Sequence, residues 1–254
     1  MRAILTYHSI DPSGSPISCH PDAFDRHLEW LTSGGVAVTT LDELLTLPDS
    51  ADAVALTFDD AYVNFGDVAA PRLLDRGLPV TLFVVADLAA ASNVWDEGPR
   101  RTTPALPLLD WPALLRLQDR GVTLGAHSRT HADLSLLDGG RLEDEVLGSA
   151  EAIAAHAGRR PAAFAYPYGR TSAAGIRAVA KAFRVGCTTE FRVLSGADQP
   201  ALLPRLDMYY FQRPGSLESW GRAWFDARIR VRHLARRVRS LAAGSAPPPG
   251  VRTS

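Results

Sequence analysis

The sequence predicts an α/β fold in which parallel strands alternate with helices. Short apolar runs rich in β-branched residues recur along the chain, and helical periodicity lies between most of them. A third observation is that reactive polar residues follow the ends of several predicted strands. The 254 residues, 46% of them hydrophobic, suffice for one full core. Seven strand–helix units favour a closed or nearly closed barrel, and an open doubly wound sheet is the alternative.

The seven predicted strands share an apolar composition and a short length. They cover residues 3–7, 36–39, 54–58, 80–85, 122–125, 162–166 and 184–188. The predicted helices, which share apolar positions at helical spacing, cover residues 22–33, 41–47, 66–76, 111–120, 141–157 and 173–183. Thr40 and Asp110 precede two of them as N-caps, and Gly77 and Gly158 end two others.

Residues 86–109 lack a strong period and are predicted as a long loop, either at the active site or on the surface.

The C-terminal part of the chain differs from the rest. We predict a barrel over residues 1–215, a basic helix over 216–243 and a disordered tail rich in Pro, Gly and Ser over 244–254. The apolar stripe predicted for the helix is Trp220, Trp224, Leu234, Val238 and Leu241. The favoured interpretation is a helix packed on the barrel with solvated arginines. Contact with an anionic membrane surface is the less favoured alternative.

Composition excludes several classes of protein. The formal net charge of -1 gives no reason to expect a nucleic-acid partner. The two cysteines, Cys19 and Cys187, lie outside any CxxC pattern, which favours two small buried side chains over a disulfide or a thiolate zinc site. The sequence contains neither a signal-peptide pattern nor an apolar run of about 18 residues. We therefore expect a cytoplasmic protein; the sequence specifies no oligomeric state.

Two adjacent carboxylates, Asp59 and Asp60, end the predicted strand 54–58. Neighbouring acids in a partly desolvated place repel each other, and no Lys or Arg lies between Pro48 and Pro71. Positive charge must come from a distant group, and a metal ion meets this need. The alternative is a solvated turn after a strand.

His127 and His131 follow the predicted strand 122–125 and are four residues apart. In a helical turn this spacing places both imidazoles on one side, where they can chelate one ion. With one carboxylate they form a set of ligands that leaves positions open for water and substrate, which suits catalysis. Chance is the alternative for the pair considered alone.

Two further strand ends carry candidate residues. His8 follows the first strand and is a candidate general acid because its pKa can lie near neutral pH; a hydrogen-bonded histidine in the barrel mouth is the alternative. Tyr166-Pro167-Tyr168-Gly169 forms a rigid turn that can aim a backbone N–H at a developing oxyanion, or simply connect a strand to a helix.

Together these segments resemble the polysaccharide deacetylase family, the carbohydrate esterases of the NodB-homology type. Residues 57–60 (TFDD) look like its first motif, residues 127–131 (HSRTH) match its second, and residues 164–169 (FAYPYG) are similar to its third. Tyr7-His8 resembles the branch with a catalytic histidine near the N-terminus. The resemblance covers about residues 3 to 210.

The resemblance implies a distorted (β/α)7 barrel and a hydrolase that removes an N-acetyl or other N-acyl group from an amino sugar in a glycan or glycoconjugate. It implies Asp60, His127 and His131 as ligands of a divalent metal, zinc before cobalt, nickel or manganese. It implies Asp59 as general base, His8 as general acid and the Tyr168 N–H as an oxyanion donor.

The sequence departs from the family pattern at two positions. Ala61 replaces the Gly that usually follows TFDD, so a small residue is kept. Ala165 stands where the third motif often carries an Arg that orients the base, and we hypothesise that Arg205 replaces it from elsewhere.

Three other functions stay open at this point: an Fe(II) oxygenase with two histidines and one carboxylate, an inactive sugar-binding barrel, and a hydrolase of another carbon–nitrogen bond, such as a deformylase or an amide hydrolase.

Overall fold

The structure is a computed structural model that describes residues 1–96 and 103–242. The strands of the described residues are β1 (Arg2–Tyr7), β2 (Ser9–Ile10), β3 (Ser18–Cys19), β4 (Ala37–Thr39), β5 (Ala53–Phe58), β6 (Val80–Val84), β7 (Thr123–Ala126), β8 (Ala163–Ala165), β9 (Val185–Cys187) and β10 (Leu206–Asp207). All seven predicted strands are present, each within two residues of its expected ends. The two-residue strands β2, β3 and β10 were not predicted.

The main sheet is parallel throughout and follows the order β10-β1-β5-β6-β7-β8-β9, with β4 paired to the first half of β5. The segment after β9 joins the two edges of this sheet. Leu203 exchanges backbone hydrogen bonds of 2.7 and 2.8 Å with Gly186 and Thr188, and Leu206 pairs with Leu5 of β1. The sheet therefore curls into a distorted (β/α) barrel, and the open doubly wound alternative is wrong.

Helices surround the sheet: α1 (Pro21–Thr32), α2 (Leu41–Thr46), α3 (Ala70–Leu74), α4 (Trp111–Asp119), α5 (Gly139–Glu143), α6 (Ser149–Ala157), α7 (Ala173–Ala182) and α8 (Ala223–Ala242). Side chains cap several of them as expected: Thr40 and Glu43 form a capping box at α2, and Asp110 accepts a bond from Ala113 N at α4. Two predicted helices contain π-helical turns, Phe65–Ala69 before α3 and Asp144–Gly148 between α5 and α6. The predicted loop 86–109 holds two short 3-10 turns within its described part.

Strands β1, β5 and β6 are buried along their whole length because the barrel interior covers one face and helices cover the other. Small and branched side chains such as Ile4, Ala55 and Ala165 fill the interior together with Phe83. A Cβ on Gly125 would lie 2.5 Å from the Phe83 ring, so this position also faces inward. Side chains alternate along a strand, so every second residue of β1, β5 and β7 faces the barrel interior. The next residue in each of these series, just past the end of the strand, points to the centre of the barrel mouth. Those residues are His8, Asp59 and His127.

The C-terminal helix packs on the barrel by a face that differs from the predicted one. Phe225 and Ile229 are buried, whereas Leu234 and Val238 of the predicted stripe are exposed, and Trp220 lies before the helix begins. The helical spacing of apolar residues gives more than one apolar row on this helix, and spacing alone does not decide which row packs on the barrel. The predicted tail, 244–254, lies outside the described residues. No described helix combines the length and apolarity that crossing a membrane requires.

Both cysteines are buried and unpaired with each other, as predicted. Burial raises the pKa of each thiol to about 12, so neither is a reactive thiolate.

Candidate functional site

The second motif forms a tight loop after β7 whose backbone is strained. Ser128 and His131 adopt φ angles of 60° and 62°, a left-handed conformation unusual for residues other than Gly. The buried carboxylate of Glu145 holds this loop. It accepts hydrogen bonds from the N–H groups of Arg129 and Thr130, at 2.9 and 3.0 Å, and from the Thr130 hydroxyl at 2.6 Å. The π-helical turn before α6 thus supplies the group that fixes the loop.

Asp60, His127 and His131 are brought together at the barrel mouth. The Oδ1 atom of Asp60 lies 3.3 Å from Nε2 of His127 and 3.4 Å from Nε2 of His131. One ligand atom from each of the three residues lies within 4.8 Å of the other two, and all three side chains are buried. These are the three residues that the sequence predicted as metal ligands.

The protonation of this cluster favours a cation at its centre. The Nδ1 atom of His127 lies 2.8 Å from the carbonyl oxygen of Ala165, and because a carbonyl only accepts, Nδ1 carries the proton. When His127 is neutral, as a metal ligand must be, it turns an unprotonated Nε2 towards Asp60 Oδ1, which is also an acceptor. This Oδ1 is buried and accepts no hydrogen bond from the described residues. A metal ion shared by the two atoms removes the conflict.

The spacing of the cluster also fits a metal. Bonds of about 2.0–2.1 Å at tetrahedral angles place neighbouring ligand atoms about 3.4 Å apart. The two measured separations agree with this value. In the absence of an ion, burial opposes the charge of Asp60, but a hydrogen bond from protonated His127 outweighs burial and keeps the pKa of Asp60 low, and Asp60 in turn raises the pKa of His127. Burial lowers the pKa of His131 to about 3, so this imidazole is neutral, as a ligand must be.

Asp59 is held by Arg205. The guanidinium donates two parallel hydrogen bonds of 2.7 Å to the two carboxylate oxygens. It also bonds the Thr188 carbonyl oxygen and the Thr6 hydroxyl, both at 3.0 Å. Burial would raise the pKa of Asp59, but Arg205 and then His127 overcome it and the pKa is lowered. The contact that the sequence suggested for Arg205 is present, and its role in orienting the base remains a prediction.

His8 lies beside Asp59 and is partly exposed, with Nε2 3.7 Å from Asp59 Oδ2. A second acid, Asp207 at the end of β10, lies on the same rim. Burial raises the pKa of Asp207, although the nearby charge of His8 partly opposes this. Sequence reasoning missed Asp207 because one acid after a two-residue strand carries no local signal.

The third motif forms a 3-10 turn, Pro167–Gly169, in which Tyr168 adopts a φ of 59°. The Tyr168 ring meets the edge of His131, with centroids 4.7 Å apart, and is 43% exposed. The turn therefore lies next to a proposed metal ligand and faces solvent. Trp95 stacks on the other side of His131 at 4.3 Å, so the loop 86–109 contributes a wall to the site. Trp95 lies in a segment without a local pattern, so the sequence did not predict it as a site residue.

The first motif explains one departure from the family pattern. Asp60 and Ala61 have φ angles of 72° and 60°. Gly is usual after TFDD because the backbone there is left-handed, and small size, the reason given from the sequence, is secondary. Ala61 tolerates this conformation at a cost of about 1 kcal/mol.

The fold and these side chains define a class: a parallel α/β barrel whose mouth holds an Asp–His–His cluster able to bind a metal, next to a second carboxylate. A model of the polysaccharide deacetylase family matches residues 47–185, more than half of the chain. The chain belongs to the polysaccharide deacetylase family.

Individual relatives agree with this assignment. YxkH of Bacillus subtilis, a protein named as a polysaccharide deacetylase, is 25% identical over 193 residues, which are 74% of this chain and 64% of that protein. The chain thus spans less than two thirds of this relative. IcaB from Ammonifex degensii is 22% identical with a TM-score of 0.71 over 89% of this chain and 97% of its own. The Streptococcus pyogenes deacetylase PplD in complex with acetate is 24% identical with a TM-score of 0.68 over 81% and 91%. At these identities the two structures show a shared fold.

Proposed function

We propose that the chain is a metal-dependent hydrolase that removes the N-acetyl group of an amino sugar in a glycan or glycoconjugate. The observation that carries the proposal is the buried cluster of Asp60, His127 and His131 beside Asp59, which the cluster leaves outside its own ligand set. Two imidazoles and one carboxylate with open positions favour zinc. Membership of the family supports an acetylated carbohydrate as substrate.

The protein residues divide the reaction between them. When bound at the cluster, a divalent ion supplies Lewis-acid chemistry that acidifies water and polarises the acyl carbonyl. Asp59 accepts the proton of the attacking water, and Arg205 keeps Asp59 ionised and fixed for this task. The Tyr168 N–H donates to the developing oxyanion. His8 donates a proton to the departing amine nitrogen.

Proton balance supports the pairing of His8 with Asp59. Hydrolysis leaves Asp59 with one extra proton and His8 with one fewer. Because Nε2 of His8 lies 3.7 Å from Oδ2 of Asp59, a small movement passes the proton back and restores the starting state.

The alternative functions predict different products. Membership of the deacetylase family argues against an Fe(II) oxygenase, which would consume oxygen with a 2-oxoacid. An inactive barrel would bind sugar without releasing acetate. A deformylase would release formate, and another amide hydrolase would release a different acid.

The test is acetate release from N-acetylated sugars, including soluble oligomers and lipid-linked or peptide-linked forms, by chelated enzyme with metals added back. We expect activity to disappear on chelation and to return with zinc or a neighbouring divalent ion. Asp59→Asn should bind metal and fail to turn over, whereas Asp60→Asn should lose metal. Asp67→Asn, at an exposed acid further along the chain, is the matched control and should behave as wild type. Full activity of Asp59→Asn, or of the chelated protein, contradicts the proposal.

A further inference from the structure

Helix α8 has an inner face that secures it to the barrel. Phe225 and Ile229 are buried there. Three arginines of the same face lay their guanidinium groups over aromatic rings: Arg228 over Phe211 at 4.7 Å, Arg232 over Tyr210 at 4.0 Å, and Arg236 over Phe191 at 5.7 Å. These contacts fix which side of α8 meets solvent.

The opposite face of α8 is apolar and exposed. Val231, Leu234 and Val238 are 70%, 62% and 57% exposed, and we call them the outer stripe. Their spacing of three and four residues places them in one row along the helix. Single exposed apolar residues are common, but an ordered row of three on one helix indicates a binding face.

The C-terminal region that carries the outer stripe is basic, and its arginines lack acidic partners among the described residues. Elsewhere in the chain, Arg129, Arg170, Arg184 and Arg192 pair with carboxylates. The arginines from 213 to 236 have no carboxylate oxygen within 4.0 Å among the residues that the structure describes; they are Arg213, Arg222, Arg228, Arg230, Arg232 and Arg236. Burial and then the charges of Arg232 and Arg213 lower the pKa of Arg228, as expected for a basic cluster without a counter-charge.

We propose that the outer stripe and its flanking arginines bind the surface of a membrane that contains anionic phospholipids. Apolar side chains in a row enter the region between headgroups and acyl chains, while Arg230, exposed beside the row, reaches the phosphates and the other arginines of the helix add long-range attraction. Charge selects this partner over a second copy of the chain. Two copies joined through the outer stripe would bring Arg230 and its neighbours against the same arginines of the other copy.

The position of α8 relates this face to the candidate site. Trp220, just before the helix, donates a hydrogen bond of 3.1 Å to Asp52, which precedes β5 at the closed end of the barrel. Arg236 contacts Phe191 and Tyr210, which follow β9 and β10 at the mouth. The helix, about 30 Å long, therefore runs from the closed end to the mouth, and the outer stripe occupies the half nearest the mouth. A bound membrane would lie beside the rim that carries Asp59 and Asp60.

The test is sedimentation of the whole chain with lipid vesicles. We expect binding to vesicles that mix phosphatidylglycerol with phosphatidylcholine, weak or no binding to phosphatidylcholine alone, and loss of binding at high salt. Replacing the outer stripe by serine (Val231→Ser, Leu234→Ser and Val238→Ser together) should weaken binding about tenfold or more. Arg230→Gln should weaken binding about fivefold. Leu136→Ser, at an 80% exposed leucine outside α8, is the control and should change nothing.

Three results would overturn the proposal. They are equal binding to neutral and anionic vesicles, unchanged binding of the serine variant, and absence of binding to both kinds of vesicle. A wild-type dimer in solution that the serine variant converts to monomer would assign the outer stripe to a contact between copies instead. Acetate release from a soluble substrate is a separate readout, because none of these variants touches the candidate site.

Discussion

Asp59 is a buried carboxylate whose charge depends on a guanidinium 146 residues further along the chain. A buried ion pair gains little net stability over apolar packing, and removal of one partner leaves an uncompensated charge that costs about 3–5 kcal/mol. The arrangement is therefore better explained by function than by folding. Arg205 lowers the pKa of Asp59 and keeps it ionised near neutral pH, as the proposed role of general base requires.

A change at Arg205 should consequently appear in the pH dependence of the reaction. Arg205→Met removes the charge but keeps much of the length of the side chain, so burial should raise the pKa of Asp59. We expect the acid limb of kcat/KM to move to higher pH and the rate at neutral pH to fall on the order of 100-fold. The pH–rate profile measures both effects.

Arg205→Lys is the matched comparison. A lysine retains positive charge but cannot make two parallel bonds to the carboxylate. It should restore part of the acid-limb position while leaving the rate below wild type. If the Met variant remains folded and its profile matches wild type, Arg205 does not control the base.

The residues of the site differ in how far the sequence could reveal them. Asp60, His127 and His131 lie in short motifs at strand ends, so a local pattern was enough to group them. Asp207 and Trp95 have ordinary neighbours in the sequence. They join the site through pairing of β10 with β1 and through the fold of the loop 86–109, contacts that no local pattern encodes.

At the scale of elements, the second-motif loop depends on the helix segment that follows it. Glu145 accepts hydrogen bonds from two backbone N–H groups of the loop, those of Arg129 and Thr130, and so ties the loop to this helix segment. The loop also carries two residues in left-handed conformations, so it needs external support to keep His131 in place. Glu145 is a positioning residue for the proposed metal site.

We predict that Glu145→Ala weakens metal binding about 10- to 100-fold. Glu145→Gln should bind metal nearly as well as wild type, since its amide oxygen can accept both N–H bonds while its amide nitrogen donates to the Thr130 hydroxyl. Competition with a chelator measures the dissociation constant without any substrate. Glu143→Ala, at an exposed acid that ends α5 two residues earlier, is the control.

Wild-type metal affinity of the Glu145→Ala variant would contradict a positioning role. Loss of affinity in the Gln variant as large as in the Ala variant would mean that the negative charge, and not the hydrogen bonds, is what matters.

Strands could be predicted from the sequence where both faces of the strand are buried, because such a strand is a continuous run of apolar residues. All seven such runs became strands. β10 has only two residues and follows the charged Arg205, so no run exists to predict it; its place is set by hydrogen bonds to β1 and by the ion pair with Asp59. The π-helical turns in two predicted helices were also invisible, because one extra residue in a turn barely changes helical periodicity.

At the scale of the whole molecule, one buried histidine links the first strand of the barrel to the turn that precedes the C-terminal helix. His27 on α1 lies 3.1 Å from the Tyr7 hydroxyl of β1 through Nδ1, and 3.1 Å from the Phe211 carbonyl oxygen through Nε2. The carbonyl requires a proton on Nε2, so Nδ1 accepts from Tyr7 and the imidazole is neutral. The Phe211 turn in turn packs against Phe225 of α8, so this histidine lies between the barrel and its C-terminal helix.

Burial lowers the pKa of His27 to about 4, mainly by desolvation, from the 6.5 of an exposed imidazole. Between these two values the unfolded chain binds a proton that the folded chain does not, so acid favours unfolding over this range. We expect His27 to make the free energy of unfolding fall by about 2 kcal/mol between pH 7 and pH 5. Denaturant melts at the two pH values, with the metal content held constant, measure this loss.

His27→Gln should be less stable than wild type at pH 7 but should lose about 2 kcal/mol less on acidification, since its amide can donate to the Phe211 carbonyl without titrating. His156→Gln is the control, because His156 is an exposed histidine that stacks on Trp111 and should leave the pH dependence of wild type unchanged. The remaining slope in His27→Gln comes from other groups, among them the buried His131, so the difference between variants isolates the contribution of His27. If the free energy of unfolding falls by the same amount from pH 7 to pH 5 in wild type and in His27→Gln, His27 does not contribute to the loss of stability in acid. The link between α1, β1 and the C-terminal turn would then not depend on a neutral imidazole.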